Sequence, residues 1–495
     1  MPVFTLLYPC LTLARLIDPM VVAAHLASDG HEPSYDEVHE TVRKQTEDLL
    51  GHIEVKSHRQ DGPPDQRWYW AVPILLDQQF TPRPIARWLE EGDQRFAWEA
   101  MLRSRTDEAD TNFSEHVNQL RDAAKLDLGP RPRDLSDVLA KVALASPAVV
   151  TLRALCRHCN DIEHTSIWQL LSAAARAAMG FRSMFNMSES ITLIRSPDDP
   201  EDVEGEEGDS TKPYWERVLD YAVDGNLQAV MDEYVHILHE SLGLVDSCPE
   251  EAAQALAQTI QDAVTLRTIR LSFDDMQLKG DEIVRQDYRI RCRYAIPFGE
   301  WRNYDDSDVT RADQVRIAFN SPFRPFVLAT TSVGQEGLDF HQYCHSVYHW
   351  NLPSNPVDLE QREGRIHRYK GHVIRKNLAK RYGLSILADG VQPLDDPWAY
   401  LFAQAEEDRC QASDLIPYWI YEEGPFRIER HVPALPLSRE LEQVKELKSA
   451  LAAYRMVFGQ PRQEDLLEFL RSRLVPDIPI EDLLRYRIDL SPPCM

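Results

Sequence analysis

Residues 326–371, FVLATTSVGQEGLDFHQYCHSVYHWNLPSNPVDLEQREGRIHRYKG, hold the side chains best suited to chemistry. An apolar run ends in Thr330, Thr331 and Ser332 and leads into a loop with Gly334 and Gly337. In open α/β sheets, ligands bind outside the carboxyl ends of strands. Hydroxyls and exposed loop amides in that place suit phosphate oxygens. Asp339, just past Gly337, can accept from a ribose hydroxyl. The pattern PVDLEQREGRIHR predicts a helix carrying Gln361, Gly364, Arg365 and Arg368. On a helix, Arg365 and Arg368 share one face. Two guanidiniums on one face fit a polyanion whose negative charge grows during phosphoryl transfer. A glycine-bearing surface loop and a solvated arginine pair are ordinary features singly; their order and spacing together carry the functional reading.

Such residues need a sheet to hold them, and the surrounding pattern supplies one. TLRTIRLSF and DYRIRCRYAI alternate polar and apolar residues, which predicts two strands. RADQVRIAF reads as a helix, and FVLATT and SVYHW as further strands. Strands alternating with helices over residues 264–390 argue for an α/β lobe with an open parallel sheet. The flanking regions read as large, mainly helical accessory parts. In 1–130, LTLARLIDPMVVAAHLA and YDEVHETVRKQTEDLLGHI have helical periodicity, while RWYWAVPILL reads as a short strand-like segment. GPRPRD at 129–134 marks a linker. In 131–263, LSDVLAKVALA is expected to be a helix capped by Asp134 or Ser136 and stopped before Pro147. SPDDPEDVEGEEGDS (196–210) reads as an acidic solvated loop, and NLQAVMDEYVHILHESLG as a helix ending at Gly243. Residues 391–495 form a mixed and helical extension that includes SRELEQVKELKSALAAYRMVF.

With these residues in view, TTSVGQEGLDF resembles motif V, and QREGRIHR motif VI, of superfamily-two helicases. DLEQREGRIHR most resembles the Swi/Snf-type branch, particularly the bacterial RNA-polymerase-associated helicase-like ATPases. Weaker similarity extends to FNSPFRPF before this stretch and YRMVFGQPRQEDL after it. The resemblance implies a RecA-like helicase C-terminal lobe with Arg365 and Arg368 as arginine fingers on the γ-phosphate. It implies that Gln361, with Gly364, couples ATP to nucleic acid, and that Asp339 meets the ribose. Thr331 and Gly337 would face the nucleic-acid backbone or the lobe interface, with Thr330 and Ser332 beside them. The expected partners are nucleic acid, double-stranded DNA first, and a polypeptide carrying the first RecA-like lobe. ATP and Mg²⁺ are expected only when that lobe is present. A phosphate loop has the form GxxxxGK[ST], and no Gly-Lys pair followed by Ser or Thr occurs in the sequence. Asp36-Glu37-Val38-His39 spells an acidic Mg²⁺ motif, but it sits in a helical pattern with no apolar strand before it. The alternative reading is a non-catalytic nucleic-acid-binding or adaptor module, or a truncated gene product.

Composition sets limits on these readings. The formal net charge of -26 makes the chain a poor non-specific nucleic-acid binder, so contacts need a local basic strip. Arg362 to Arg381, with Lys370, Arg375, Lys376 and Lys380, is the most basic region. It reads equally as a phosphate-tracking surface or as one solvated helix face. The scattered cysteines form no disulfide framework and suggest a reducing, cytoplasmic setting. The apolar opening MPVFTLLYPCLTLARL lacks a basic n-region, and no apolar run approaches the ~20 residues of a membrane span. Cys156 and Cys159 have the spacing of a zinc half-site with only His164 nearby, which favours a helical thiol pair. His341, Cys344, His345 and His349 crowd together between the two motifs, where strand packing accounts for them.

Overall fold

The computed structural model describes residues 3–27, 31–53, 62–90, 119–120, 122–159, 167–195, 212–266, 269–279, 282–292, 306–330, 339–388, 392, 394–409, 413–433 and 439–456, with positions 462, 465–466, 468–469 and 472. The paired strands of 269–292 are described by their backbone. Two compact units result: residues 1–326 with 384–400, and residues 327–383 with 401–495.

The first unit is mainly helical. It opens with α1 (Phe4–Leu7), α2 (Leu11–Leu16), α3 (Pro19–Leu26), α4 (Tyr35–Gly51), α5 (Trp68–Phe80) and α6 (Pro82–Glu90). Ser34 and Glu37 form a capping box at the start of α4, so Asp36 and Glu37 lie in a helical first turn and not at a strand end. RWYWAVPILL, which reads as strand-like, is the helix α5. Its residues Trp68 to Asp77 are all buried, and an apolar run buried all round carries no period to tell helix from strand. Asp77 on α5 accepts from the amides of Leu11 (3.0 Å) and Thr12 (2.7 Å), satisfying the first donors of α2 from outside that helix. At the other end of α2, the buried Arg153 donates to the carbonyls of Ala14 (3.1 Å) and Ile17 (2.7 Å).

Next come α7 (Leu135–Ala145), α8 (Pro147–His158), α9 (Ile167–Phe185), α10 (Ser188–Ile194), α11 (Tyr214–Asp224), α12 (Leu227–Ser241) and α13 (Pro249–Val264). The expected stop before Pro147 holds: α7 ends at Ala145, and Pro147 takes the first turn of α8. Asp134 precedes α7 without a side-chain cap and instead accepts from the Tyr69 hydroxyl at 2.7 Å. The long helix α9 lies on α13. A Cβ at Gly180 would meet Val264 Cγ2 at 2.7 Å, so only glycine permits this approach. Strands β1 (Ile269–Lys279) and β2 (Glu282–Cys292) overlap the two alternating segments only in part, and they pair antiparallel from Ile269↔Cys292 to Lys279↔Glu282, which corrects the expectation that they belong to a parallel sheet. Helix α14 (Asp306–Phe319) covers RADQVRIAF and packs on α13. The acidic stretch 196–210 lies outside the described residues.

The second unit holds β3 (Ser346–Tyr348), α15 (Pro356–Gly364) and α16 (His372–Tyr382). After α17 (Ser385–Ala388), α18 (Pro397–Asp408) leads into the later part of this unit, which carries β4 (Glu429–His431) and α19 (Glu440–Met456). Strands β3 and β4 pair in parallel, and α19 packs on α15. Among the described residues this is the only parallel pairing, so the α/β character rests on one two-stranded sheet. FVLATT is not a strand over its described part: residues 326–330 have no ladder, and Phe326 and Val327 are exposed. Pro325 cannot donate to a ladder there. No described helix is long and apolar enough by itself to cross a membrane.

Candidate functional site

The second unit brings the QREGRIHR segment against the loop that follows Gly337. Helix α15 starts cleanly: Asn355 accepts from the Val357 amide at 3.0 Å, and Pro356 occupies the first turn. It ends at Gly364, which corrects the expectation of a helix through Arg368. Arg365 and Arg368 therefore follow one another through tight turns and do not share a helical face. The reason lies in the Arg365 carbonyl, which accepts from the Phe340 amide at 3.0 Å. Continuing the helix would draw that oxygen toward the amide four residues on. The turns are closed instead by Ile366 N to Glu363 O at 3.1 Å and Gly371 N to Arg368 O at 3.1 Å, with Ile366 buried beneath.

Further contacts fix the two segments together. Arg368 Nε donates to Asp339 Oδ1 at 3.1 Å, in an ion pair 38% and 51% exposed. The His372 amide donates to the His341 carbonyl at 3.2 Å. Arg375 donates to the carbonyls of Gln342 and Lys370 and lies over the Tyr343 ring. Beneath them, Glu363 ties the end of α15 to both strands. It accepts from His349 Nε2 on one side and from the Arg430 guanidinium on the other. Burial alone would raise its pKa, but these two donors outweigh it and hold the carboxyl at about 2.

Each residue proposed from sequence has a distinct place. Asp339 and Arg368 meet at the surface, with Arg365 joined to the same loop through its carbonyl. Gln361 is exposed on α15, and Gly364 is its last residue. Thr330 is exposed, while Thr331, Ser332 and Gly337 lie outside the described residues. The basic strip divides. Arg375 is 0% exposed and Lys370 only 6%. Lys370 Nζ sits 4.0 Å from the centre of the Phe402 ring, with Tyr369 and Tyr418 also near it. Lys376 is partly exposed and lies over Phe426. Burial pushes His341 down to about 4 and His372 to about 3, which keeps both imidazoles neutral.

Part of this site lies in a segment that matches a known domain family. Residues 306–370 match the helicase conserved C-terminal domain. The helicase segment takes in Asp339, Gln361, Gly364, Arg365, Arg368 and Lys370; Arg375 and Lys376 lie beyond its end. Comparison of the chain with curated proteins and with solved structures gave no match. Sequence reasoning missed the Glu363–His349–Arg430 tether that supports the helicase segment from below. Glu363 stood in view inside QREGR, but its partner Arg430 is 67 residues away, and no local pattern connects them. It also missed the aromatic surroundings of Lys370. The signals for them were the ring-rich stretches PWAYLF and PYWIYEEGPF.

Proposed function

We propose that this chain supplies the C-terminal motor lobe of a superfamily-two helicase or translocase of the Swi/Snf type, RecA-like in fold and acting on double-stranded DNA. The observation that carries the reading is the surface pairing of Arg368 with Asp339 inside a segment that matches the helicase C-terminal domain. Both side chains are open to solvent, and together they offer a guanidinium for a phosphate and a carboxylate for a ribose hydroxyl. That donor set fits one face of a nucleotide. It provides no cradle for the β- and γ-phosphates, and no GxxxxGK[ST] pattern occurs in the sequence, so on this reading a partner lobe carries the phosphate loop. ATP bound between the lobes, with Mg²⁺, supplies the phosphoryl group. The part of this chain is to orient and stabilise: Arg368 leaves Asp339 and meets the growing negative charge bidentately, while Arg365 is positioned through the Phe340–Arg365 backbone bond. Gln361, exposed on α15, links this face to the nucleic acid, and Lys376 adds a phosphate contact.

The test is kcat at saturating DNA in a complex of this chain with a phosphate-loop lobe, alongside a binding isotherm at fixed salt. Arg368→Ala is expected to lower kcat by roughly 10³–10⁵ while DNA binding survives. Lysine should not restore the rate, because a point charge lacks the planar fork. Lys376→Ala should weaken binding modestly, reduce the salt slope by about one and leave saturated turnover nearly intact. A near-normal kcat in Arg368→Ala with lost affinity would make the segment a nucleic-acid clamp and favour the adaptor reading.

A further inference from the structure

Away from the helicase segment, three side chains from distant parts of the chain converge inside the first unit. His158 is the last residue of α8, His236 lies on the buried face of α12, and Asp396 stands just before Pro397 at the start of α18. One ligand-capable atom from each lies within 4.8 Å of the others. His236 Nδ1 is 2.8 Å from Asp396 Oδ2, and His158 Nε2 is 3.8 Å from the same oxygen. Metal–ligand bonds of about 2.0–2.1 Å in a tetrahedron put neighbouring donor atoms about 3.3 Å apart. The observed separations bracket that value.

His158 is the informative member. Its side chain is 6% exposed, and its Nε2 is buried with no hydrogen-bond partner. A buried polar atom left unpaired loses its hydration and gains nothing in return, so such atoms call for an explanation. The distance to Asp396 Oδ2 is too long for a hydrogen bond and right for two ligands of one ion.

We propose that His158, His236 and Asp396 bind a divalent cation of the zinc class, joining α8, α12 and the start of α18. Two imidazoles and a carboxylate favour a borderline metal over Mg²⁺ or Ca²⁺, which prefer oxygen. His239, one turn along α12 with its ring centroid 4.9 Å from that of His158, is a further donor close by.

The surroundings suit this role. Burial pushes His158 down to about 4 and lowers His239, so those two imidazoles are neutral and their lone pairs are available. Asp396 would be raised by burial, but the hydrogen bond from His236 and the nearby imidazoles outweigh this and hold it at about 2. Its second oxygen accepts from the Trp398 amide at 3.0 Å, which fixes the carboxylate. When His236 binds through Nδ1, its proton moves to Nε2, which faces Glu240 Oε1 at 3.8 Å. The neighbouring positive charge of Arg157 is compensated by Asp18 at 3.1 Å and Asp232 at 2.9 Å. Cys156 and Cys159 flank His158 in sequence, but burial pushes their thiols up to about 11 and about 12, away from the thiolate a metal needs.

The experiment uses the full chain, stripped with a chelator and then titrated with Zn²⁺. One zinc per chain by elemental analysis is expected, with the unfolding midpoint rising on the order of 5 °C at a hundredfold excess over Kd. Co²⁺ in its place should give visible bands of a four- or five-coordinate nitrogen–oxygen site without a thiolate band. His158→Gln and Asp396→Asn should each cut affinity by about a hundredfold or more. Cys159→Ser should leave it intact. His158 Nε2 makes no hydrogen bond without metal, so His158→Gln should fold with an unchanged metal-free midpoint and remain a usable control. No saturable zinc binding, zinc retained by His158→Gln, or a cobalt–thiolate band lost in Cys159→Ser would each overturn the proposal.

Discussion

Arg375→Ala should destabilise the second unit, and Arg368→Ala should not, although the two arginines stand seven residues apart in one basic run. Arg375 is fully buried; its guanidinium donates to Lys370 O at 2.6 Å and to Gln342 O, and it lies 5.1 Å from the centre of the Tyr343 ring. Truncation removes both of these charge-assisted hydrogen bonds to carbonyls, each worth roughly 1.5–3 kcal/mol. Relief of the buried cation's own desolvation offsets part of that loss. A net cost of about 3 kcal/mol follows, which lowers local protection roughly a hundredfold, since 1.4 kcal/mol is a factor of ten. The Arg368–Asp339 pair is 38% and 51% exposed, where such pairs contribute about 0–1 kcal/mol. Native-state amide exchange, read by mass spectrometry on peptides spanning 339–349 and 366–382, measures both variants in the full chain. Fast exchange is expected in both peptides for Arg375→Ala and near-unchanged exchange for Arg368→Ala. Normal protection in Arg375→Ala together with weakened DNA binding would refute the reasoning, since the guanidinium would then be facing phosphates and not carbonyls.

Two other outcomes follow from the same geometry. On the proposed reading, the purified chain alone should release phosphate from ATP no faster than background, because no GxxxxGK[ST] phosphate loop occurs in the sequence; robust turnover, abolished by Arg368→Ala, would count against it. The chain should also lose stability as pH falls below about 6.5. Burial holds His341 at about 4 and His372 at about 3 against an ordinary 6.5, so the unfolded chain binds more protons throughout that window and stability drops toward lower pH. Urea midpoints between pH 7 and pH 5 measure this, and His372→Asn should flatten the slope; an unchanged slope would sink the assignment.

What sequence could and could not reveal follows from the range of the forces involved. Period-two alternation found parts of β1 and β2, though not their bounds or antiparallel pairing, and the Pro147 stop located the end of α7, because both signals are local. Trp68 to Leu76 misled because every residue in the run is buried and no polar face marks the period. The end of α15 at Gly364 depended on the Arg365 carbonyl accepting from Phe340, 25 residues earlier, which no helical pattern records. Likewise β3 finds its partner in β4, more than 80 residues downstream, so SVYHW showed a strand without showing its neighbour. Positive charge alone could not sort Lys370 and Arg375 from Lys376. Burial among Tyr343, Phe402 and Tyr418 did that, and it depends on aromatic residues from two separate stretches.

The candidate site thus divides into parts that build and parts that can exchange partners. The Arg365 carbonyl and the Arg375 guanidinium are held by backbone partners, and the Glu363 carboxylate by the buried His349 as well as by the more exposed Arg430, so moving any of them leaves polar groups unpaired. Arg368 and Asp339 differ, because their pairing is half in water and separates at a cost of at most about 1 kcal/mol. A phosphate in a site closed off from water attracts a guanidinium far more strongly than that. In the proposed motor, the arginine that must meet the transferring phosphoryl group is therefore one that the free lobe restrains less than the buried Arg375. The buried contacts of Arg375 and Glu363 keep the turn that presents it from collapsing.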